Sequence, residues 1–469
     1  MFVGVLLSVL GAIALALAIC AVIFFYDYLR FKIGIYALTS DAPSGFAAKH
    51  SHARGEPVAL SVNARRPLAL RIYRLAEAWT PLERTIDIPA HHQPLRFDRR
   101  CGVAWDKTIS IETGDLAPGL YRFHLFAKDD ARVCFNIPVI IRDDQPKPLC
   151  VILGTNTWQA YNPFGGISHY ENHHASKLSK AIGAFVRRPK WCPDFVPTRR
   201  PNALFSDEAN MSAFGEDYSS FVVRNELEFL MFLERNDYSF SVYCDEDLDK
   251  DPGLLGAHAL VFPGHCEYWT DNMYYALERY IEIGGKVYFS NSELAGHCAY
   301  TPDGLAFFER LPDGNSNMVA GSHATLDGAF TAAPYRVVDG THWIFAGIDL
   351  KAGDLFGADC ANHPSFDAVG HQHLRSEIDL TGQPLLGASG FFTSKVGYGS
   401  GAFKIIAEGT NPRGPAHMVC RDLPSGGWVF SASSHCFNGS LARDPVVAQI
   451  VRNLMSNAAT GPQAPSGSR

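Results

Sequence analysis

Three runs, LCVILG at 149–154, HALVFPG at 258–264 and KVYFSN at 286–291, are apolar without the alternation of a half-buried strand. A strand that is apolar at every position is covered on both faces, the situation of a parallel sheet packed between helices. Between the last two runs, TDNMYYALERYIEIGG has Thr270 placed to cap, Met273, Leu277, Tyr280 and Ile281 on one face, and Gly284 as a stop. FVVRNELEFLMFLERND sets Val223, Leu227, Leu230 and Leu233 at helical spacing ahead of the strand-like YSFSVY. Strands joined by helices at this spacing predict a parallel α/β sheet over 148–457.

Two other regions flank or interrupt that rhythm. Residues 50–143 hold only short β-branched and aromatic runs (PVALSVNA, LALRIYRL, KTISIET, GLYRFHLFA, CFNIPVIIR) at hairpin spacing, which predicts a small all-β sandwich. DDQPKP links this sandwich to the α/β region. Residues about 301–400 are rich in Gly, Asp and His and predict an insertion, after which AFKIIAEG, AHMVCRD and WVFSASS resume the strand pattern. A final helix starts at Pro445, and 458–469 is a polar tail too poor in apolar residues to fold.

Residues 2–26 are uncharged and long enough to cross a bilayer, which takes about 20 residues. Arg30 and Lys32 come after the stretch, and only the α-amine precedes it. The sequence therefore predicts one N-terminal transmembrane helix, a single-pass membrane location and soluble domains on the cytoplasmic side. With 469 residues, a formal charge of −7 and no run of Lys or Arg, the chain lacks the basic footprint of a nucleic-acid binder. Its eleven cysteines form no CxxC pair, which argues against a zinc ribbon or thioredoxin-like motif.

The chemistry concentrates in two loops, NTWQAYNPFGGISHY at 156–170 and PGHCEYWT at 263–270, each following one of the apolar strands. Sites in open α/β sheets lie at the carboxyl ends of strands, so these loops can face each other. His265 and Glu267, two apart in extended chain, share a side while Cys266 points away. With nearby phenols they form a donor set for a hard metal ion. A tyrosine ionises near neutral pH only beside a strong charge such as ferric iron. The competing reading makes Tyr161, Tyr170 and Tyr268 packing aromatics with bonded hydroxyls. Two further classes stay open: a cysteine-nucleophile hydrolase using Cys266, and a membrane-tethered ligand-binding module with no catalysis. Against the first, KVYFSNSEL, where an amidotransferase-type sheet carries its nucleophile elbow, has no cysteine.

TWQAYNPFGGISHY, the RRP of 187–189, PGHCEYWT and GGKVYFSN together resemble the large (beta) subunit of N,N-dimethylformamidase and its relatives, over roughly residues 55–457. The resemblance implies a glutamine-amidotransferase-like catalytic domain without the cysteine nucleophile. It implies mononuclear Fe(III) bound by two tyrosines and a glutamate, and hydrolysis of a small-molecule amide. Matched residue by residue, the glutamate is Glu267, the tyrosines are Tyr161 in the AY step and Tyr170 in GISHY, and His265 stands beside the metal. His265 and Glu267 are then the catalytic pair, and Tyr161, Tyr170 and Glu267 the metal ligands. Two departures stand out: the prototype enzyme separates its tyrosines by a longer segment, and it works as a soluble assembly with a small partner subunit. A homo-oligomer or a small partner subunit is accordingly expected here, beside the membrane contact of the N-terminal helix.

Overall fold

The computed structural model describes residues 11–22, 43–93, 97–98, 101–162, 164, 169, 195–205, 219–291, 294, 296–308, 319–325, 332–358, 387–390, 393–396, 401–412 and 414–460. Its first region contains β1 (Ser44–Ala47), β2 (Ser51–Ala53), β3 (Val58–Asn63), β4 (Leu68–Leu75), β5 (Trp79–Ile88), β6 (Ile109–Ile111), β7 (Gly119–Ala127) and β8 (Cys134–Arg142). They form two sheets, ordered β1-β3-β6 and β2-β8-β7-β4-β5. Alternate residues of β3, β4 and β7, such as Leu60, Leu70, Phe123 and Leu125, meet between the sheets in one apolar core.

The second region is built on a nine-stranded sheet. Its strands are β9 (Leu149–Leu153), β10 (Phe240–Cys244), β11 (Ala259–Phe262), β12 (Lys286–Phe289), β13 (Tyr335–Val337), β14 (Leu355–Phe356), β15 (Lys404–Gly409), β16 (His417–Asp422) and β17 (Trp428–Ser431). The order is β10-β9-β11-β12-β17-β16-β15-β13-β14. The first five strands run parallel. The rest pair antiparallel. Helices α1 (Thr155–Tyr161), α2 (Ser219–Arg235), α3 (Asp245–Lys250), α4 (Asp271–Glu282) and α5 (Pro445–Ala459) pack on this sheet. In α4, Thr270 accepts the Met273 N–H at 3.2 Å and Gly284 takes φ +92°, as TDNMYYALERYIEIGG predicts.

Two expectations are corrected. The β-sandwich precedes a mixed, strand-rich domain, not the expected parallel glutamine-amidotransferase-like α/β domain with a membrane helix ahead of it. Strands predominate among the described residues, and the sheet is mixed. The physical reason lies in the connections: 410–416 and 423–427 are too short for a crossover, so β15, β16 and β17 can only meander antiparallel. The second correction concerns the N-terminus. Among the described residues no helix is long and apolar enough to cross a membrane. Residues 11–22 are helical, with a rise of about 18 Å against a hydrocarbon core of ~30 Å. Residues 2–10 and 23–26 of the expected span lie outside the described residues. The membrane contact, the single-pass location and the cytoplasmic orientation all rested on that span and fall with it. Much of 301–400 and the tail from 461 also lie outside the described residues.

Behind the parallel strands sits a buried carboxyl, Asp245, at the first position of α3. Its Oδ2 accepts the Asn156 N–H of α1 at 2.8 Å. Burial pushes its pKa up to about 8. The folded chain thus holds a proton that the unfolded chain releases near pH 4. The stabilisation is fully present below pH 4, declines as pH rises from about 4 to about 8, and is gone above that. Urea unfolding across this range should show that slope, and Asp245→Asn, which keeps an acceptor for Asn156, should remove about one proton's worth of it.

Candidate active site

β9 and β11 are neighbours in register, Leu149 beside Ala259, so the segments leaving their carboxyl ends start side by side. The first is not a loop at its beginning. Residues 155–161 form α1, with every residue buried. Its polar side chains read as loop in the sequence because the partners that satisfy them are distant. Thr157 Oγ1 accepts the Glu267 N–H at 2.9 Å, and Asn156 Nδ2 donates to the Tyr268 carbonyl at 3.2 Å. Tyr161, one turn beyond Thr157, lies on the same helix face and points at the same segment.

There Tyr161 Oη donates to Glu267 Oε2 at 3.1 Å and stands 3.2 Å from His265 Nε2. His265 Nε2 is itself 3.2 Å from Glu267 Oε2. The three residues are 7%, 2% and 2% exposed. A fourth group, His435, faces His265 with ring centroids 4.2 Å apart and is also buried. Burial, followed by the charge of His265, holds its imidazole well below the usual histidine range. It arrives from the end of β17 through Ser433, which takes the left-handed φ of +57°. A strained residue after a strand end redirects the chain beyond it, but SASSHC carries no glycine to announce this in the sequence. The reading of the sequence therefore missed His435.

The remaining aromatics of the two segments pack. Trp269 is buried against Phe262 and donates to the Cys266 carbonyl at 2.7 Å. Tyr268 meets the rings of His169 and Phe307 at 5.4 and 4.9 Å. His169, from GISHY, also bonds back to the Ala160 carbonyl at 2.9 Å, which returns that segment to the PGHCEYWT side. Tyr170 lies outside the described residues.

Glu226, in the middle of α2, fastens both segments. It is fully buried and accepts the Gly154 N–H at 2.7 Å and the Trp158 indole N–H at 2.8 Å. It also lies so close to Gly264 that a Cβ there would come within 2.5 Å of its Cγ and Oε1. Gly154 opens α1 and Gly264 precedes His265, so one carboxyl sets the origin of both segments. Burial pushes its pKa well up against the pull of its two donors. Beside it, Cys266 turns away from His265 toward Gly154, and burial with the charges of Asp245 and Glu226 pushes its thiol well above the usual range.

Donors about 3 Å apart match the edges of a coordination sphere whose metal–ligand bonds are roughly 2.0–2.2 Å. Tyr161, Glu267 and His265 fit an ion on geometry, and phenol and carboxylate oxygens fit a hard one. A second group, His342, Cys420 and Asp422, could also hold a metal ion, with ligand atoms within 4.8 Å of one another. It lies elsewhere. Asp422 pairs with Trp428, and Trp428 with Lys286 at the start of β12, so this group sits at the amino ends of the parallel strands. His342 Nδ1 accepts the Ile344 N–H at 3.5 Å, and its Nε2 stands 3.3 Å from Asp422 Oδ2. Iron is not identified by either group.

Changing Gly264 to Ala should force the new methyl against Glu226 and cost about 1–3 kcal/mol, measured by chemical denaturation. Glu226→Ala should cost more, since it strands two buried donors at roughly 1–3 kcal/mol each. A neutral result for both would mean that this carboxyl does not fasten the segments.

No curated protein matches the sequence. Among solved structures, the chain is aligned with a Paenibacillus sp. cycloisomaltooligosaccharide glucanotransferase complexed with cycloisomaltoheptaose, at 9% identity over 64% of this chain and 62% of that one, TM-score 0.17. It is also aligned with a calcium-binding mutant of Bacteroides uniformis beta-glucuronidase 2, at 11% identity over 56% and 42%, TM-score 0.14. This chain thus spans less than two thirds of either, and similarity at that level carries no argument about fold or function. Residues 77–303, the segment that holds Tyr161, His265 and Glu267, match the family described as N,N-dimethylformamidase beta subunit-like, C-terminal.

Proposed function

We propose that this protein is a metal-dependent hydrolase of a small amide C–N bond, resembling N,N-dimethylformamidase, with Fe(III) held by Tyr161, Tyr170 and Glu267. The observation that carries the reading is the buried triangle of Tyr161, His265 and Glu267, with sides of 3.1 to 3.2 Å. A compensating cation would hold a carboxylate this deeply buried in its charged form. The family match supports the same reading, because all four residues fall inside 77–303. That family's description names a beta subunit, in keeping with an enzyme that works with a second copy or a small partner subunit.

When bound, the ion would supply Lewis-acid polarisation of the amide carbonyl and acidify a water for attack. The chain's own residues do the rest. Thr157 and Tyr161, one turn apart on α1, orient Glu267 through its N–H and its Oε2. Burial of the triangle excludes bulk water, which strengthens every charge interaction within it. His265 Nε2, 3.2 Å from both oxygens, holds the proton that passes to the departing amine nitrogen, the leaving group that most needs it. His435, kept neutral by burial, presents no second positive charge to His265. The thiol alternative is disfavoured by the same geometry. Cys266 is turned from His265 and its thiolate is suppressed, the reverse of an activated nucleophile.

N,N-dimethylformamide hydrolysis and metal analysis of the purified chain test this. Glu267→Ala should abolish metal and turnover, and the Tyr161→Phe, Tyr170→Phe double variant should remove the visible phenolate-to-iron band. His265→Ala should keep metal and slow turnover by about 10²–10⁴-fold, the usual loss of general acid–base help. A colourless, metal-free protein whose amidase activity dies with Cys266→Ala would overturn the assignment.

A further inference from the structure

On the other side of α1 lies a cavity of about 270 Å³, at the seam between the small β sheets and the central sheet. Tyr161 and Thr157 take one face of the helix, and Asn156 and Gln159, three apart, share another that lines this cavity. The space corresponds to roughly nine waters at about 30 Å³ each, enough for a molecule the size of an amino acid.

Its wall contains two hydrogen-bonding side chains that the protein leaves half used. Gln159 is 2% exposed; its Nε2 stands 2.9 Å from His50 Nε2, and its Oε1 has no partner among the described residues. Burial lowers the pKa of His50 to about 4, so its ring is neutral and accepts that amide hydrogen. Asn202 is 4% exposed; its Oδ1 accepts the Leu204 N–H at 3.0 Å, and its Nδ2 has no partner among the described residues. Buried polar groups are rarely left so, and an unused acceptor and an unused donor in the wall of one cavity suit a ligand with both. The lining is also cationic: Lys49, Arg199, Arg200 and Lys250 stand against the single acid Glu246, which pairs with Lys250. Lys49 is engaged by Glu56 at 2.7 Å, and Arg199 is exposed with no ion pair among the described residues.

We propose that this seam cavity binds a small carboxylate that also carries an N–H or O–H donor, an amino acid or hydroxy acid. The carboxylate faces Arg199 and Asn202 Nδ2, and the donor faces Gln159 Oε1. This site is separate from the Tyr161–His265–Glu267 triangle, and nothing in its argument depends on the hydrolase reading.

Thermal-shift and calorimetric titrations of the full chain, with each of the common L-amino acids and with L-lactate at millimolar concentration, test it. At least one probe should raise the melting temperature saturably and bind with a one-to-one stoichiometry. Asn202→Leu, close in shape and unable to donate, should weaken that probe at least about tenfold, as loss of a hydrogen bond to a charged group does. Arg199→Ala, a surface change that leaves the core intact, should weaken it comparably and make the remaining binding less sensitive to salt. Glu267→Ala should leave it unchanged. No shift with any probe would overturn the proposal. So would binding that survives both Asn202→Leu and Arg199→Ala, or binding lost in Glu267→Ala alone.

Discussion

The arrangement depends on one buried carboxyl. Glu226 accepts N–H groups from Gly154 and Trp158 with its two oxygens and leaves Gly264 no room for a side chain. Its helix, α2, is long and packs its apolar residues into the main core, so the carboxyl is held by an element that cannot easily move. Strand ends alone would not bring Tyr161 to Glu267. Neighbouring parallel strands are about 4.8 Å apart, and the segments leaving them could diverge. The shared anchor removes that freedom at the root of each segment, and the Thr157–Glu267 bond removes it again near the tip.

The electrostatics behind the site derive from the same burial. Asp245 and Glu226 have raised pKa values, and the Cys266 and Cys298 thiols are pushed well up, all chiefly by desolvation. Each group relieves the cost by taking a proton or by accepting backbone hydrogen bonds. Burial thus disfavours charge on each of these groups around the triangle. The contrast with His342, Cys420 and Asp422 is instructive. The side chain of Asp422 is 48% exposed and takes bonds from both His342 and Trp343. It is a clamp on the turn at 343–345 that water can already reach.

What the sequence made legible was what local pattern controls. Unbroken apolar runs located β9, β11 and β12, and the Thr270 cap with its amphipathic spacing located α4. The two-residue spacing of His265 and Glu267 put both on one side, because extended chain alternates faces whatever the fold. Failures came where distant partners decide. WVFSASS looks like any strand, and only the short connections on its amino side show that it closes an antiparallel meander. SASSHC does not reveal that Ser433 is left-handed and that His435 is delivered against His265. Glu226 sits in an ordinary amphipathic pattern, in which a glutamate reads as solvent-facing.

The hardest element to see was α1, and the reason is thermodynamic. Seven residues are too few for a helix to hold itself, since nucleation is costly and isolated helices shorter than about 12–15 residues are marginal. TNTWQAY has no side-chain cap and no charge pattern of its own. Its conformation is borrowed from Glu226 at Gly154 and Trp158, from Asp245 at Asn156, and from the Glu267 N–H at Thr157. Those same contacts aim Tyr161 at Glu267 on one face and set Gln159 in the wall of the seam cavity on another. The helix exists only when the segments around it are in place. The triangle is therefore assembled by tertiary structure, and no stretch of sequence contains it.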